Sequence, residues 1–204
     1  MLRNLTLAVA VAAFAPAVFA ESVFAAPVVG ELAPAFTGTD VNGKTVHLAD
    51  YAGKTVVLEW TNDQCPYVRK HYGSGNMQKT QEAAAADGAV WLTIVSSAEG
   101  KQGYVTPDQA KALTAGRGAK PSDVILDPSG AIGLTYGAQT TPHIFVIAGD
   151  GRLVYAGGID DKATADPADI PSAKNLVIAA LEDVKAGRPV QTPESEPYGC
   201  SIKY

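Results

Sequence analysis

The 204-residue chain holds two cysteines, and their settings differ sharply. Cys65 follows a β-prone run, Thr55–Trp60, and directly precedes Pro66 and a helix-forming stretch. A thiol at a helix N-terminus sits among unpaired N–H groups at the positive end of the helix dipole, which favour its anion and lower its pKa. Pro66 suits the first helical position, where its missing N–H loses nothing. This placement predicts a reactive thiol, whereas an inert cysteine belongs inside a strand or on the apolar face of a helix. Cys200 stands near the other end, beyond a proline-rich stretch. A permanent bond between the two would close a long loop and stabilise by roughly 5 kcal/mol in the chain-entropy model.

The elements that must position these thiols read as one α/β domain. Phe36–Asp40 and Lys44–Leu48 flank Val41-Asn42-Gly43, a hairpin signal. Thr55–Trp60 is a buried strand, and Pro66–Ala86 a helix interrupted at Gly73-Ser74-Gly75. Ala89–Val95 is a second central strand. Thr106 caps a helix that Pro107 opens, Val124–Leu126 is a short strand, and a short helix lies near Ile132–Tyr136. His143–Ile147 and Arg152–Tyr155 flank Gly149-Asp150-Gly151 as a second hairpin, and Asn175–Lys185 carries apolar residues at helical spacing. The order is hairpin, β, α, β, α, β, hairpin, α.

Residues 1–25 read as a secretory signal, with Arg3 before an apolar run from Leu5 to Ala20. That run is about 16 residues, short of the roughly 20 that span a bilayer. Small residues place cleavage after Ala20 or Ala25. No membrane association is expected after cleavage. Sixteen Lys and Arg against 21 Asp and Glu leave a net charge of −5, with no basic cluster, so nucleic acid is not an expected partner. Export to a secreted or periplasmic location also makes a disulfide admissible.

Strand, then Trp60-Thr61-Asn62-Asp63-Gln64-Cys65-Pro66, then helix, and much later Thr141-Pro142 before a hairpin, resembles the thioredoxin-like superfamily. The leading hairpin and inserted elements make it similar to the redoxin branch, which holds thiol-specific antioxidant peroxidases and exported TlpA-like oxidoreductases. The resemblance implies a central mixed sheet flanked by helices over residues 29–187, an N-terminal β-hairpin, and an extended tail, 188–204, carrying Cys200. It implies a cis Thr141-Pro142 loop facing Cys65 and presenting a substrate backbone; His143, next after that proline, is expected beside the thiol, where an imidazolium would steady the thiolate. Trp60, Tyr67 and Tyr72 are candidates for a substrate groove, Trp60 first, although aromatics beside a central strand are more often core.

The sequence departs from the family in two places. Cys65-Pro66-Tyr67-Val68 lacks the second thiol of a Cys-x-x-Cys pair. The peroxidase loop and its arginine are also missing: Leu58 and Asn62 stand at the loop positions, and Pro142 where the arginine is expected. Asn62 is a candidate hydrogen-bond donor to the thiolate or to a substrate oxygen. The residues from Pro189 to Cys200 reach roughly 40 Å when extended, so Cys200 can supply the resolving thiol, as tail cysteines do in several peroxidases. A permanent staple is the equal alternative. Cys65 with His71 and His143 raises a copper or zinc site, but six helical positions turn His71 about 120° from Cys65, so no metal is expected. Arg69, Lys70 and His71 read as a solvated helix face. The expected activity is thiol-disulfide exchange with a thiol or disulfide protein or redox donor and no cofactor. A thiol peroxidase is the neighbouring alternative, and a non-catalytic binding or metal-delivery module with a fixed disulfide the more distant one.

Intact-mass analysis of protein from the native host is expected to find a chain beginning at Glu21 or Ala26; a mature species retaining Met1 would reject the signal.

Overall fold

The computed structural model describes residues 26–204; the signal read at residues 1–25 lies outside the described part. Thr37–Asp40 (β1) and Thr45–His47 (β2) form the first hairpin. Its turn is closed by Asp40 Oδ1, which accepts the N–H groups of Asn42 and Lys44, both at 2.7 Å. Val56–Trp60 (β3) is buried at every position, as a strand covered on both faces must be. Pro66–Gly73 (α1) and Asn76–Ala86 (α2) are separate helices. The break falls where Gly75 adopts φ +75°, a conformation that costs glycine little.

Val90–Val95 (β4) runs parallel to β3. Pro107–Gly116 (α3) starts with a reciprocal cap: Thr106 Oγ1 accepts the Gln109 N–H at 3.3 Å, and Gln109 Oε1 accepts the Thr106 N–H at 2.8 Å. Asp123–Leu126 (β5) and the short Ala131–Thr135 (α4) follow. Thr140–Thr141 (β6) leads into the hairpin of His143–Ile147 (β7) and Leu153–Gly157 (β8). Leu176–Lys185 (α5) begins at the Asn175 cap, and Cys200–Ser201 (β9) closes the fold. A 3-10 turn at Pro167–Ser172 was not legible in the sequence pattern.

The main sheet has the order β2-β1-β5-β4-β3-β7-β8, mixed in sense, with β6 and β9 forming a separate two-stranded ladder. Alternation along the central strands divides the core. Val57, Trp91, Ile144 and Val146 face α1, α2 and α5. Leu58, Trp60, Leu92, Ile94 and Phe145 face the other way, packing with Phe36, Ile132 and Tyr136.

Glu59 breaks the apolar pattern of β3 and is wholly buried. Its carboxylate accepts from the Tyr72 hydroxyl at 2.8 Å, the Trp91 indole at 2.8 Å, the Thr93 hydroxyl at 3.0 Å and the Gln81 amide at 3.3 Å. Every partner donates, which suits an acceptor-only group. One side chain thereby joins β3, β4, α1 and α2. Glu59→Leu leaves those buried donors without an acceptor at about 1–3 kcal/mol each, so urea denaturation is expected to show a loss of about 3 kcal/mol or more. A loss below about 1 kcal/mol would show that the network is not a constraint on the fold.

Candidate active site

The loop leaving β3 delivers Cys65 as the residue that precedes the first turn of α1, with Pro66 next. Asn62 shapes the loop: its carbonyl accepts the Cys65 N–H at 3.1 Å and its Oδ1 accepts the Gln64 N–H at 2.9 Å. The Cys65 side chain is fully buried, and its thiol donates to the Thr141 carbonyl at 3.1 Å. The Thr141-Pro142 bond is cis.

The C-terminal tail completes the site. In the β6–β9 ladder Thr141 pairs with Cys200 and Thr140 with Ser201, and the Thr141 hydroxyl donates to the Cys200 carbonyl at 3.4 Å. Only glycine fits at 199, where φ is +144° and a Cβ would collide with the Thr141 carbonyl. Burial pushes the Cys65 thiol up, but hydrogen bonds to its anion from the Cys200 thiol, the Val68 and Cys200 N–H groups and Thr141 outweigh this, and its pKa is lowered. Cys200 moves the opposite way, pushed up to about 12 by burial, by its hydrogen bond to Cys65 and by the charge of that neighbour. When the pair ionises, the first proton therefore leaves Cys65 and the second is held at Cys200.

Below α1 lies a buried polar cluster. The Tyr198 hydroxyl donates to Asp160 Oδ1 and lies 3.1 Å from His71 Nε2. Lys70 Nζ lies 3.7 Å from Asp160 Oδ2 and donates to the Lys162 carbonyl at 2.8 Å. Removing one partner of such a buried pair typically costs about 3–5 kcal/mol, so these groups are structural commitments. Burial lowers His71 to about 4, although Asp160 opposes the shift, and the ring is neutral at neutral pH.

The sequence profile of the Redoxin family matches residues 28–177. The chain belongs to that family. Its fold is shared by solved structures of low sequence identity. A hypothetical protein of Sinorhizobium meliloti is 24% identical, with TM-score 0.72 over 88% of this chain and 96% of that one. An uncharacterized conserved protein of Geobacillus kaustophilus is 24% identical, with TM-score 0.70 over 90% and 94%. The thioredoxin domain of a thiol-disulfide oxidoreductase from Bacteroides vulgatus is 22% identical, with TM-score 0.50 over 71% and 96%. The architecture is thus thioredoxin-like, a central mixed sheet flanked by helices. No curated protein matches the chain. Among the described residues no helix is long and apolar enough to cross a membrane, and no group of three or more His, Cys, Asp or Glu side chains is arranged to hold a metal.

Cys65, Cys200, Thr141 and Pro142 meet in this redoxin, but other residues expected at the site fall elsewhere. Trp60 points to the opposite face of β3, where its indole donates to Ser96 Oγ at 2.9 Å and its ring packs on Phe145 and Tyr136. It is core and lines no groove beside the thiol. His143 pairs with Trp60 across the β3–β7 ladder and so shares that far face, stacked 4.4 Å from Phe145. Burial lowers it to about 4, so it is a neutral imidazole and not a cation supporting the thiolate. Asn62 stays in the Cys65 loop, its carboxamide oxygen accepting the Gln64 N–H, and the groups that donate to the Cys65 sulfur are Cys200, Val68 and Thr141 instead. The Thr140–Thr141 edge, expected to face a substrate, is occupied by the tail. Lys70 and His71, expected on a solvated face, are buried because the tail and Asp160 cover them, while Arg69 alone of the three is exposed. Tyr198 and Asp160 carried no pattern that sequence reasoning could use, since each lies in a loop.

Titration of thiolate ultraviolet absorbance checks the asymmetry without requiring access to the buried sulfur. The first proton is expected to leave below the ordinary cysteine value and the second only near pH 12. Cys200→Ala, which removes the donor, moves the first step up, and Cys200→Ser, which retains a hydroxyl donor, moves it less. A first step at or above the ordinary value in the wild type contradicts the assignment.

Proposed function

We propose that this redoxin is an exported thiol-disulfide oxidoreductase in which Cys65 is the nucleophile and Cys200 resolves. The observation that carries the reading is the facing pair of thiols with opposed acidities. The Cys65 thiolate attacks a disulfide sulfur of the substrate, forming a mixed disulfide and releasing one substrate thiolate. Cys200 gives up its proton to solvent and attacks the Cys65 sulfur, forming Cys65–Cys200 and releasing the second substrate thiolate. The substrate gains two electrons and the pair loses two; a dithiol donor then returns them by the same exchange in reverse. No cofactor enters these steps.

Two further features support a working pair over a staple. The tail is seated by the β6–β9 ladder, by the Tyr198 contacts and by Ser195, whose hydroxyl accepts the Gly158 N–H at 3.0 Å. Its position therefore does not depend on a sulfur–sulfur bond. Cys65 is also fully buried, so the end of the tail must lift before a substrate disulfide reaches it. A protein substrate can then pair with the vacated Thr140–Thr141 edge, as extended peptides add to open strands. Arg3 and the apolar run to Ala20 support export.

Cys65→Ser is expected to abolish exchange with a disulfide substrate. Cys200→Ser is expected to leave Cys65 able to attack but unresolved, accumulating mixed disulfides with partner proteins that are visible on non-reducing gels. Peroxide consumption is expected to be slow, because no arginine stands at the family position to polarise the oxidant. Fast peroxide turnover would favour the peroxidase reading, and an inert bond with no trapped species would favour the staple.

A further inference from the structure

The buried cluster at Tyr198 takes no part in either sulfur step, yet it lies on the tail two residues before the resolving thiol. Three of its partners, Tyr67, Lys70 and His71, belong to α1, the helix that Cys65 caps. The Tyr198 ring meets Tyr67 edge-on with centroids 5.9 Å apart, and Lys70 Nζ lies 5.7 Å from its centre. Its hydroxyl is bound by Asp160 and His71, so both the ring and the polar tip are fixed. Asp160 precedes the segment whose Lys162 carbonyl holds Lys70, tying the anchor to the body of the domain. Between this anchor and the Cys200 ladder stands only Gly199, pressed against the Thr141 carbonyl.

We propose that Tyr198 is a positioning residue for resolution: it pins the tail to the helix bearing Cys65 and thereby sets the effective concentration of the Cys200 thiol at the mixed disulfide. The proposal rests on the reading of Cys65 and Cys200 as a working pair. Two tethers hold Cys200 near its target, the short β6–β9 ladder and the Tyr198 anchor. The ladder is at the substrate edge and must open when a substrate enters. The anchor lies outside that edge and remains engaged, so the lifted segment is short and the resolving thiol returns from nearby. An intramolecular step gains its rate from such confinement, and lengthening the free tether lowers it. Without the hydroxyl, Asp160 and His71 lose their contact with the tail, and the free segment extends back toward Ser195.

The test uses dithiobis(nitrobenzoate) as the disulfide, in stoichiometric amount with the whole reduced protein. Attack by Cys65 forms an aryl mixed disulfide and releases one coloured thiolate; attack by Cys200 on Cys65 releases the second and leaves an intramolecular disulfide, distinguished by mass. Tyr198→Phe keeps the ring and its contact with Tyr67 while removing the hydroxyl. The expected result is a first phase no slower than wild type, a second phase slowed about tenfold or more, and accumulation of the aryl adduct. The same substitution is expected to shift the dithiol–disulfide balance against glutathione toward the dithiol by a similar factor, a readout that a general loss of stability does not move. A second phase and balance within about twofold of wild type overturn the positioning role and leave the working pair intact. Release of a single thiolate by the wild type, as expected of Cys200→Ser, removes the working pair itself and the proposal with it.

Discussion

The geometry of the thiol site depends on the short antiparallel ladder that seats the C-terminal tail on the cis-proline loop. Two residue pairs, Thr140 with Ser201 and Thr141 with Cys200, bring together sulfurs that stand far apart in the chain. The close approach demands a residue without a Cβ, and Gly199 supplies it. Thr141 serves both partners, its carbonyl accepting from Cys65 and its hydroxyl reaching the Cys200 carbonyl. A small shift of this loop would therefore disturb the environment of both thiols.

The electrostatics follow from that contact. A buried thiol on its own resists ionisation, because the interior solvates its anion poorly. Cys65 escapes this penalty by gathering hydrogen bonds from the first turn of α1, from the tail backbone and from the second thiol. The same arrangement makes a second ionisation at Cys200 unfavourable, since its proton bridges to an anion already in place. The pair titrates as one unit. The tail thus acts in two ways, stabilising the thiolate while shutting it away from solvent.

The remaining buried polar groups link the site to the sheet. Glu59, one residue before the end of β3, gathers donors from β4, α1 and α2 and sets α1 against the strand that precedes the Cys65 loop. Asp160 does the corresponding work on the other side of α1, holding Lys70 and Tyr198. Buried polar groups are costly when unpaired, so both clusters favour one arrangement of α1 over near alternatives. The apolar faces of β3, β4 and β7 supply most of the burial but would tolerate small displacements that these directional contacts do not.

Local physics was legible in the sequence. The apolar β-branched run before Cys65, Pro66 after it, the Thr106 cap and the Asn42-Gly43 turn all act within a few residues, and each marks an element seen in the structure. The α1–α2 break was legible for the same reason, since glycine takes the left-handed backbone angle found at residue 75 at little cost. Side-chain environment was not legible, because it depends on which face of a strand a residue occupies and on what covers that face. Trp60 and His143 are near Cys65 in the chain or fold order, yet strand alternation turns both to the opposite core. Lys70 and His71 look like surface charges until the tail and Asp160 close over them. The sequence alone determined that Cys65 begins a helix after a central strand and that an extended, proline-rich tail carries Cys200. Tertiary structure decided which groups surround the sulfurs, because burial and the hydrogen bonds that set acidity come from segments distant along the chain.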